Sequence, residues 1–338
     1  MIPVLDSTEE NLGLAASALA KGGLVAFPTE TVYGLGANAL EARALALIFD
    51  VKRRPYFDPL IIHIADRKGL ELICQSVDSR AEKLMERFWP GPLTLVLPKT
   101  DRVPDLATSG LPTVAVRMPA HSVALALIKK TGFPLAAPSA NPFGRLSPTT
   151  ALHVQGQFET GIEMILDGGP CGVGVESTIL SLAGNAPILL RAGGVSRENL
   201  EAVIGPISLA ESLPQRPQAP GQLPGHYAPR TLLYLRDGAS NHKIPRENST
   251  SRQGYLAFQK APVSGSYAAV EILSPRGDLR EAAARLFACL HRLDKQGLDW
   301  ILAEVVPNEG LGAAIMDRLQ KAAAGSQSSP LGNGHSNS

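Results

Sequence analysis

The sequence predicts an α/β protein with two domains: a larger N-terminal domain built on a twisted mixed sheet flanked by helices, and a smaller C-terminal α/β domain. Three observations predict this fold class. The chain has 338 residues, enough for two domains of ordinary size. Short apolar runs rich in β-branched residues alternate with helical patterns along most of the chain. Near residue 205 the composition changes abruptly and becomes rich in proline.

The opening residues predict a helix followed by a buried strand. Ser7 and Glu10 have the spacing of a capping box, and Gly22-Gly23 ends the helical run. The apolar residues 24–27 then predict a strand, and the polar residues 28–31 predict a loop.

The rest of the N-terminal domain continues this alternation. Several strand patterns follow one another without a helix between them, which favours a mixed sheet over a purely parallel one. Helical patterns cover residues 42–51, 79–88, 122–130 and 197–203, and strand patterns cover residues 60–64, 94–97, 113–116, 163–166 and 177–182.

A proline-rich segment separates the two domains. Six prolines lie between Gly205 and Arg230. Because each proline removes a backbone donor, the segment predicts a long, semi-stiff connector and not a helix or central strand. Strand patterns at 232–235, 255–258, 269–273 and 300–306 and helical patterns at 279–295 and 312–324 predict the smaller domain. The expected divisions are 1–205, the linker 206–230, the domain 231–324 and a disordered Ser/Gly/Asn-rich tail 325–338.

The composition argues against several classes of protein. The formal net charge is +1, so no global field draws the chain toward nucleic acid or an acidic membrane, and contact with RNA would need a local basic patch. The N-terminus lacks a signal-peptide pattern and no apolar run approaches the ~20 residues of a membrane span. We therefore expect a soluble, cytoplasmic protein with no membrane partner. Cys74, Cys171 and Cys289 are scattered, which predicts three reduced thiols rather than a disulfide framework or a zinc cluster.

A basic loop is the first candidate for chemistry. The sequence contains neither G-x-x-x-x-G-K-[ST] nor G-x-G-x-x-G, so side chains would have to neutralise much of the charge of any bound nucleotide. Lys52, Arg53 and Arg54 end a helical pattern, and Pro55 and Pro59 then brace an extended loop. The loop could direct cations at a polyphosphate. Cations also suit any helix C-terminus because of the macrodipole, so both interpretations remain open.

A turn rich in small polar residues is the second candidate. Ser139 and Asn141 follow an apolar run at 135–137, where hydroxyl and amide groups could bind a ligand at the end of a strand. The alternative is a turn followed by a helix whose N-cap is Ser147, with Pro148 at the first helical position. Both can hold, because a helix N-terminus also attracts anions.

None of these segments identifies a function by itself, and His63 on an apolar strand is by default a hydrogen-bonded core histidine. Their order and spacing together resemble the YrdC-type family between Gly22 and Gly194. The later residues 220–229 resemble the linker of the long, two-domain threonylcarbamoyl-AMP synthases. The motifs that carry the resemblance are P-T-E-T-V-Y-G-L-G, K-x-R-P, P-L-I-I-H, W-P-G-P-L-T-L, T-V-A-V-R-M-P, P-S-A-N, S-P-T, L-D-G-G, E-S-T-I and L-R-A-G.

The resemblance implies a YrdC-like catalytic domain and a Rossmann-like C-terminal domain. It also implies formation of threonylcarbamoyl-AMP and pyrophosphate from L-threonine, bicarbonate or CO₂, and ATP, for threonylcarbamoyladenosine modification of tRNA. By the same likeness, Thr31, His63, Arg117, Ala137 and Ser177 surround threonine. Arg54, Asp58, Thr113, Ser139, Asn141, Ser147, Arg191 and Tyr227 bind ATP, and Lys52 and Arg54 are the catalytic cations. The resemblance also implies Mg²⁺, which is expected to bind mainly to the ATP phosphates, and no protein ligand is assigned to it.

Three positions depart from the family pattern. Arg53 stands where glycine is usual, Asp58 where asparagine is usual and Ser181 where aspartate is usual. The distant position of Tyr227 leads to the hypothesis that the proline-rich linker covers the pocket as a lid and protects a hydrolysis-prone product.

Two alternative functions follow from the same resemblance. The first is an RNA-binding module of the same fold without synthase activity. The second is a carbamoyl-transfer enzyme of hydrogenase maturation, which would carry zinc-binding C-x-x-C pairs that this sequence lacks. The role of the C-terminal domain stays open, with docking of a partner or of the tRNA-modifying transferase as the candidates. For the protein as a whole, tRNA and a downstream threonylcarbamoyl transferase are the expected macromolecular partners.

Overall fold

The computed structural model describes residues 1–210, 217–223, 225–236, 251–263 and 265–327. Most of the expected tail, from residue 328 onward, lies outside these ranges, as do residues 211–216 and Pro224 of the expected linker. The chain divides into two compact units. The first contains Met1–Phe143 and Ser147–Leu223, and the second contains Gly144–Leu146 and the residues from Pro224 onward.

The first unit alternates strands and helices, as the sequence predicts. In chain order its elements are β1 (Val4–Asp6), α1 (Glu9–Ala20), β2 (Val25–Phe27), β3 (Gly34–Asn38), α2 (Ala42–Lys52), β4 (Ile61–His63), α3 (Arg67–Ile73), α4 (Ser79–Phe88), β5 (Leu93–Pro98), α5 (Asp105–Thr108), β6 (Thr113–Arg117), α6 (Ser122–Thr131), β7 (Leu135–Ala136), α7 (Ala151–Gln155), β8 (Met164–Asp167), β9 (Thr178–Ser181), β10 (Ile188–Arg191), α8 (Arg197–Ile204) and β11 (Ser208–Leu209).

These strands form one mixed sheet in the order β1-β8-β2-β3-β7-β4-β6-β5-β9-β10-β11. Strand β4 pairs in parallel with β6 and antiparallel with β7, which confirms the expected mixture. Strand β11 lies in the proline-rich segment and pairs with β10 at the edge of the sheet. The sequence excludes a helix or a central strand here, and a two-residue edge strand is compatible with that expectation.

The two faces of the central strands have different surroundings. Ile62 of β4 and Val116 of β6 face the main hydrophobic core. On the opposite face, Ile61 and Ala115 form a small apolar cluster with Ala219, a residue of the expected linker. Residues 217–223 thus belong to the first unit and lie over this second face.

The N-terminus differs from the prediction in one strand and one cap. Residues 4–6 form β1, which pairs in parallel with β8, so the chain does not open on a helix. The N-cap of α1 is Thr8, whose side chain accepts a hydrogen bond from the Asn11 amide. Ser7 instead donates to the Asp167 carbonyl oxygen at 2.6 Å. Ser7 cannot cap the helix because pairing of the two strands directs its hydroxyl to β8.

The end of α2 explains why a glycine would suit position 53. Arg53 is the C-cap residue and has a φ of 53°, in the left-handed region that costs most for residues with a Cβ. Its side chain is exposed. The structural consequence of this departure is therefore backbone strain next to Lys52 and Arg54.

Arg53→Gly is expected to raise the free energy of unfolding by about 1 kcal/mol, because glycine adopts this conformation without a steric cost. Arg53→Ala is the matched control, since it removes the same charge and keeps the Cβ. Urea unfolding of the three proteins measures the difference. Equal stability of the Gly and Ala variants would show that the backbone at residue 53 is not strained.

The second unit contains a smaller parallel α/β arrangement. Its described elements are β12 (Leu232–Leu235), β13 (Gln253–Ala257), β14 (Ala269–Ile272), α9 (Leu279–Asp294), β15 (Trp300–Ala303) and α10 (Gly312–Gln327). The four strands pair in parallel in the order β12-β15-β13-β14, which agrees with a Rossmann-like domain. None of the helices within the described ranges combines the length and the apolar character needed to span a bilayer.

Tyr227 is anchored inside the second unit. Its ring centroid lies 5.8 Å from that of Phe287, and the Arg318 guanidinium lies 5.0 Å from the ring centroid. The residue is 5% exposed and has a φ of 64°. Stacking on α9 and α10 therefore holds this backbone in a left-handed conformation.

Candidate active site

The candidate site is built on the second face of the central strands. Side chains alternate between the two faces of a strand, and directly paired residues share a face. His63 pairs with Arg117, and Ile61 pairs with Ala115, so all four side chains lie on one face of β4 and β6. Thr113 lies on the same face because it is separated from Ala115 and from Arg117 by even numbers of residues.

Strand β6 separates two groups of expected binding residues. Thr113, at its beginning, is expected to contact ATP, and Arg117, at its end, is expected to bind threonine. At about 3.3 Å per residue, the two Cα atoms are ~13 Å apart. This spacing suits a nucleotide and an amino acid joined end to end along the strand.

Lys52 joins the two candidate segments that are distant in sequence. Its Nζ atom donates to the Ser139 carbonyl oxygen at 2.6 Å and also to the Asn141 carbonyl oxygen. The Phe143 amide donates back to the Lys52 carbonyl oxygen at 2.8 Å. The basic loop and the small polar turn therefore lie side by side, with the ammonium group between them. Burial, together with the nearby Arg54 charge, lowers the pKa of Lys52.

Asp58 lies within this group of cations. Arg54 donates from Nε to the Asp58 carbonyl oxygen at 3.0 Å and from Nη2 to the Pro59 carbonyl oxygen at 2.8 Å. The Asp58 carboxylate is fully buried, 2.9 Å from Arg54 Nη2. Within the described part of the chain neither carboxylate oxygen has a well-aligned hydrogen bond, so the contact with Arg54 is a close but poorly oriented ion pair.

The protonation of Asp58 reflects two opposing effects. Burial raises its pKa, while the charges of Arg54, Lys52 and Arg191 lower it. The net direction is upward, although three cations surround the group. Asp58 therefore lies among Lys52, Arg54 and Arg191 as their shared counter-ion. This arrangement explains how a carboxylate is tolerated at a position that is expected to meet phosphate.

Arg191 is the last residue of strand β10 and links three parts of the site. Its Nε and Nη2 atoms donate to the Ser177 carbonyl oxygen at 3.1 and 3.0 Å, and Nη2 also donates to Ser177 Oγ at 3.2 Å. Its Nη1 donates to the Pro220 carbonyl oxygen at 3.2 Å. Ser177 Oγ in turn lies 2.7 Å from Thr94 Oγ1. Residues 217–223 are thus fixed to the site by Arg191 as well as by Ala219.

Arg117 organises the other end of the site. Its Nε donates to the Gly91 carbonyl oxygen at 3.1 Å, its Nη1 donates to Thr31 Oγ1 at 2.9 Å, and its Nη2 lies 2.7 Å from Glu30 Oε1. Thr29 Oγ1 lies 2.8 Å from Thr31 Oγ1 and donates to the Val32 carbonyl oxygen, which closes the loop that presents Glu30 and Thr31. The guanidinium is thus oriented before any ligand binds.

His63 is buried beside Arg117 and is not a satisfied core histidine. Its Nδ1 atom has no hydrogen-bond partner among the residues that the structure describes. Burial lowers the pKa of the imidazole to about 3, and the Arg117 charge contributes in the same direction. The ring is therefore neutral at physiological pH, and Nδ1 is available to a polar group of a bound ligand.

His63→Gln is expected to reduce acid sensitivity. Between pH 6.5 and about 3 the unfolded chain protonates this histidine and the folded protein does not, so a falling pH favours unfolding. This linkage lowers the free energy of unfolding of the wild type by ~2 kcal/mol at pH 5 relative to pH 7.5. Urea unfolding at both pH values should show a loss that is smaller by that amount in the variant. Equal losses in both proteins would contradict a buried neutral His63.

Ser147 does not cap a helix, contrary to one interpretation of the sequence. Helix α7 begins later, and its N-cap is Thr150, which accepts a hydrogen bond from the His153 amide. Ser147 is fully buried and donates to Glu176 Oε1. The Pro148 carbonyl oxygen accepts a hydrogen bond from the Tyr33 amide, which fixes this turn against the loop after β2.

The remaining expected residues are placed by backbone contacts or lie elsewhere. Ala137 donates its amide to the Ile61 carbonyl oxygen at 3.0 Å, and Asn141 Nδ2 donates to the Pro142 carbonyl oxygen at 2.9 Å. Tyr227 belongs to the second unit, and its contact with ATP stays a prediction. Ser181 pairs with Val96 and Ile188, and nothing in its surroundings explains its departure from aspartate.

Sequence reasoning missed three participants in this network. Glu30 lies inside a quoted motif, yet only the folded loop brings it to Arg117. Thr94 reaches Ser177 through the parallel pairing of β5 with β9. Pro220 contributes a carbonyl oxygen from a segment without any periodic pattern. Glu30, Thr94 and Pro220 all lie in segments that carry the family resemblance, but the motifs give no indication of the groups that they contact.

Comparisons with known proteins show the family to which the chain belongs. The Sua5/YciO/YrdC family model, described as telomere recombination, matches residues 17–193, and a model described as the C-terminal domain of threonylcarbamoyl-AMP synthase matches residues 195–324. The chain is 46% identical over 329 residues to the threonylcarbamoyl-AMP synthase of Pyrococcus abyssi, covering 95% of this chain and 97% of the relative. It is 45% identical over 331 residues to that of Bacillus subtilis, covering 95% of each.

A solved structure is similar over both units. The crystal structure of P. abyssi Sua5 complexed with L-threonine has a TM-score of 0.86 and 41% sequence identity to this chain. The match covers 96% of this chain and 98% of that one.

Proposed function

Since the chain belongs to the threonylcarbamoyl-AMP synthase family and has its nucleotidyltransferase activity, we propose that the site on β4 and β6 carries out this reaction. It forms L-threonylcarbamoyladenylate and pyrophosphate from L-threonine, bicarbonate or CO₂, and ATP. Threonine binds at the Arg117 end, and the ATP phosphates bind at the Lys52 end.

The contact of Lys52 with Ser139 and Asn141 carries the proposal. It brings the cationic loop and the small polar turn to one point, where Arg54 and Arg191 also concentrate positive charge around Asp58. A triphosphate needs such a cluster, because no glycine-rich phosphate loop is present in the sequence. An amino acid needs the preorganised guanidinium of Arg117, whose planar fork matches a carboxylate.

The chain's own groups contribute alignment and charge. Threonine's amine, after its ammonium group has lost a proton to solvent, adds to CO₂ with loss of a second proton, or reacts with bicarbonate with loss of water, and gives a carbamate. A carbamate oxygen then attacks the α-phosphorus, and pyrophosphate leaves. Negative charge is carried by the non-bridging oxygens of the α-phosphate and by the leaving pyrophosphate, so fixed cations that face these oxygens stabilise the transition state. The face of β6 holds both reactants in line, which removes the entropy cost of their encounter.

Mg²⁺ would bind mainly through the phosphates. Hard divalent ions take carboxylate and phosphate oxygens and keep several waters. The described residues contain no group of three or more metal-ligating side chains, and Asp58 lies among cations that compete with a metal. A metal held by ATP fits this donor set. When bound, it would neutralise part of the phosphate charge alongside Lys52, Arg54 and Arg191.

Synthase activity is tested by mixing the purified protein with ATP, L-threonine and bicarbonate and measuring pyrophosphate. We expect release that requires threonine and stops when bicarbonate and CO₂ are removed. Binding of RNA without threonine-dependent release would favour the alternative of an RNA-binding module. Contact with tRNA and delivery of product to a threonylcarbamoyl transferase are further parts of the proposal. Co-purification of the protein with tRNA tests the first, and co-purification with the transferase tests the second.

Residues 217–223 support a cover over the site. Ala219 is fully buried against Ile61 and Ala115, and Pro220 is fixed by Arg191. A segment in this position excludes water from the face on which the mixed anhydride forms.

Ala219→Asp is expected to weaken docking of this segment by about 1–3 kcal/mol, because a carboxylate would replace a methyl group on an apolar surface. The product should then be hydrolysed faster, which a time course of threonylcarbamoyl-AMP in the presence of the enzyme measures. Gln218→Glu is the control, since it adds the same charge at the exposed neighbouring position. An unchanged product lifetime in Ala219→Asp would exclude the covering role.

A further inference from the structure

The ion pair between Glu30 and Arg117 has an unusual geometry for a structural salt bridge. The Arg117 side chain is 4% exposed and that of Glu30 is 14% exposed, with 2.7 Å between Nη2 and Oε1. The two atoms are close but poorly aligned, and within the described ranges neither Glu30 oxygen has a proper hydrogen bond. A buried carboxylate without hydrogen bonds is costly, so this pair is not optimised for stability.

The surroundings leave Arg117 as the counter-charge of Glu30. The other titratable groups that respond to Glu30 are Cys171 and His121. Burial raises the pKa of Cys171 to about 12, and burial lowers the pKa of His121. Both groups are uncharged at neutral pH. One positive and one negative charge therefore face each other at the amino-acid end of the site.

An α-amino acid can enter this pair without leaving either charge alone. Its carboxylate and ammonium groups are attached to the same carbon, so they present opposite charges over a short distance. The carboxylate can take the place of Glu30 on Arg117, and the ammonium can become the new partner of Glu30. A zwitterion adds no net charge to the site. Glu30 and Arg117 therefore each give up a poorly oriented ion pair and gain a charge-assisted hydrogen bond to the ligand.

From this geometry we infer that Glu30 is the binding residue for the α-ammonium group of threonine and that Glu30 and Arg117 together select a zwitterion. This inference rests on the proposed function, because it assumes that threonine binds at Arg117. It assigns a role to a residue outside the expected threonine set. The same contact fixes the position of the nitrogen that becomes the carbamate.

The test compares ligands that lack one charge. Binding is measured by calorimetry, without ATP, for L-threonine, for 2,3-dihydroxybutanoate, which lacks the amine, and for L-threoninol, which lacks the carboxylate. Each ligand is titrated into the full-length wild type and into Glu30→Gln. The ratio of two affinities is taken on one preparation, so a partly unfolded sample does not change it. Glu30→Asp is a second variant that keeps the charge.

Glu30→Gln is expected to weaken the binding of L-threonine by about 10- to 100-fold, which is the loss of affinity for one hydrogen bond to a charged group. The same variant should bind 2,3-dihydroxybutanoate at least as tightly as the wild type does, because Glu30 no longer competes for Arg117. Glu30→Asp should retain a preference for L-threonine over the amine-free ligand. Glu82→Gln is the matched control, since it breaks the exposed pair with Arg67 and should change no affinity.

Two other outcomes are distinguishable. In the first, the wild type binds L-threonine, and Glu30→Gln changes the affinities for L-threonine and 2,3-dihydroxybutanoate in the same direction, either weakening both equally or strengthening both. Glu30 then does not bind the ammonium group, and the inference is overturned. If the wild type binds none of the three ligands, the assignment of the threonine site itself fails. The first outcome leaves the proposed function intact, and the second does not.

Discussion

Lys52→Met is expected to lower the rate of threonylcarbamoyl-AMP formation by about 10²–10³-fold, the loss seen when one charge-stabilising donor is removed from an active site. The variant removes a cation beside the phosphates, and it also breaks the contact that holds Ser139 and Asn141 next to the basic loop. Two buried carbonyl oxygens would lose their donor, so we also expect the free energy of unfolding to fall by about 2 kcal/mol.

The two effects are separated by assaying pyrophosphate release at a temperature where both proteins are folded. Lys129→Met is the matched control, because Lys129 is exposed on α6 and away from these contacts. It should keep wild-type activity and stability. A Lys52→Met protein with more than a tenth of the wild-type rate would show that Lys52 only supports the turn and does not act on the phosphates.

Arg117→Met is expected to abolish threonine-dependent activity and to destabilise the protein by about 3 kcal/mol, since removing one member of a buried pair leaves the other charge uncompensated. Glu30 would remain in its site without a cation. Adding Glu30→Gln to Arg117→Met should restore much of the lost stability while activity stays absent. The four proteins of this cycle are compared by urea unfolding.

The exposed pair of Arg67 and Glu82 provides the control cycle. Arg67→Met and Glu82→Gln should each change stability by less than about 1 kcal/mol, because solvent screens exposed pairs. If Arg117→Met were no more destabilising than Arg67→Met, the charge of Glu30 would have to be solvated in the folded protein. The buried pair would then not be available for exchange with a zwitterion.

The strands of the first unit were predictable only where their side chains carry a strong signal. Strands β4 and β6 consist of β-branched and apolar residues, and the sequence indicates both. Strand β3 contains Gly34 and Gly36 and has no strand pattern in the sequence. The structure gives the reason for one of them: a Cβ at Gly36 would lie 2.7 Å from the Phe27 ring. Glycine here serves close packing of two strands rather than a turn.

Short strands were missed for a different reason. Strand β1 has three residues and pairs with β8, whose residues lie far along the chain. Strand β10 has four residues and pairs with β9 and β11. Local propensity is weak for such lengths, and the stabilising partner is invisible to a local pattern. Their positions depend on the completed sheet.

The same limit applies to the site. The residue types and motif order indicated Lys52, Arg54 and Arg117 through the family resemblance, together with the chemistry that they serve. The pairing of Lys52 with two carbonyl oxygens, and that of Arg117 with Glu30, depends on register and on loop closure. Ser147 illustrates the error that results. Its local sequence is typical of a helix N-cap, but in the structure its hydroxyl donates to Glu176, a residue distant in sequence.

Strand β6 has one further consequence for how this chain can vary. The length of this strand sets the distance between the two binding groups, since Thr113, expected to contact the nucleotide, and Arg117, expected to bind the amino acid, lie four residue steps apart on a single face. Inserting one residue would turn Thr113 or Arg117 toward the main core, and inserting two would keep both on the site face but lengthen the gap by ~7 Å. Length changes are therefore tolerable in the surrounding loops, whereas the dimensions of the reactants set the length of this strand.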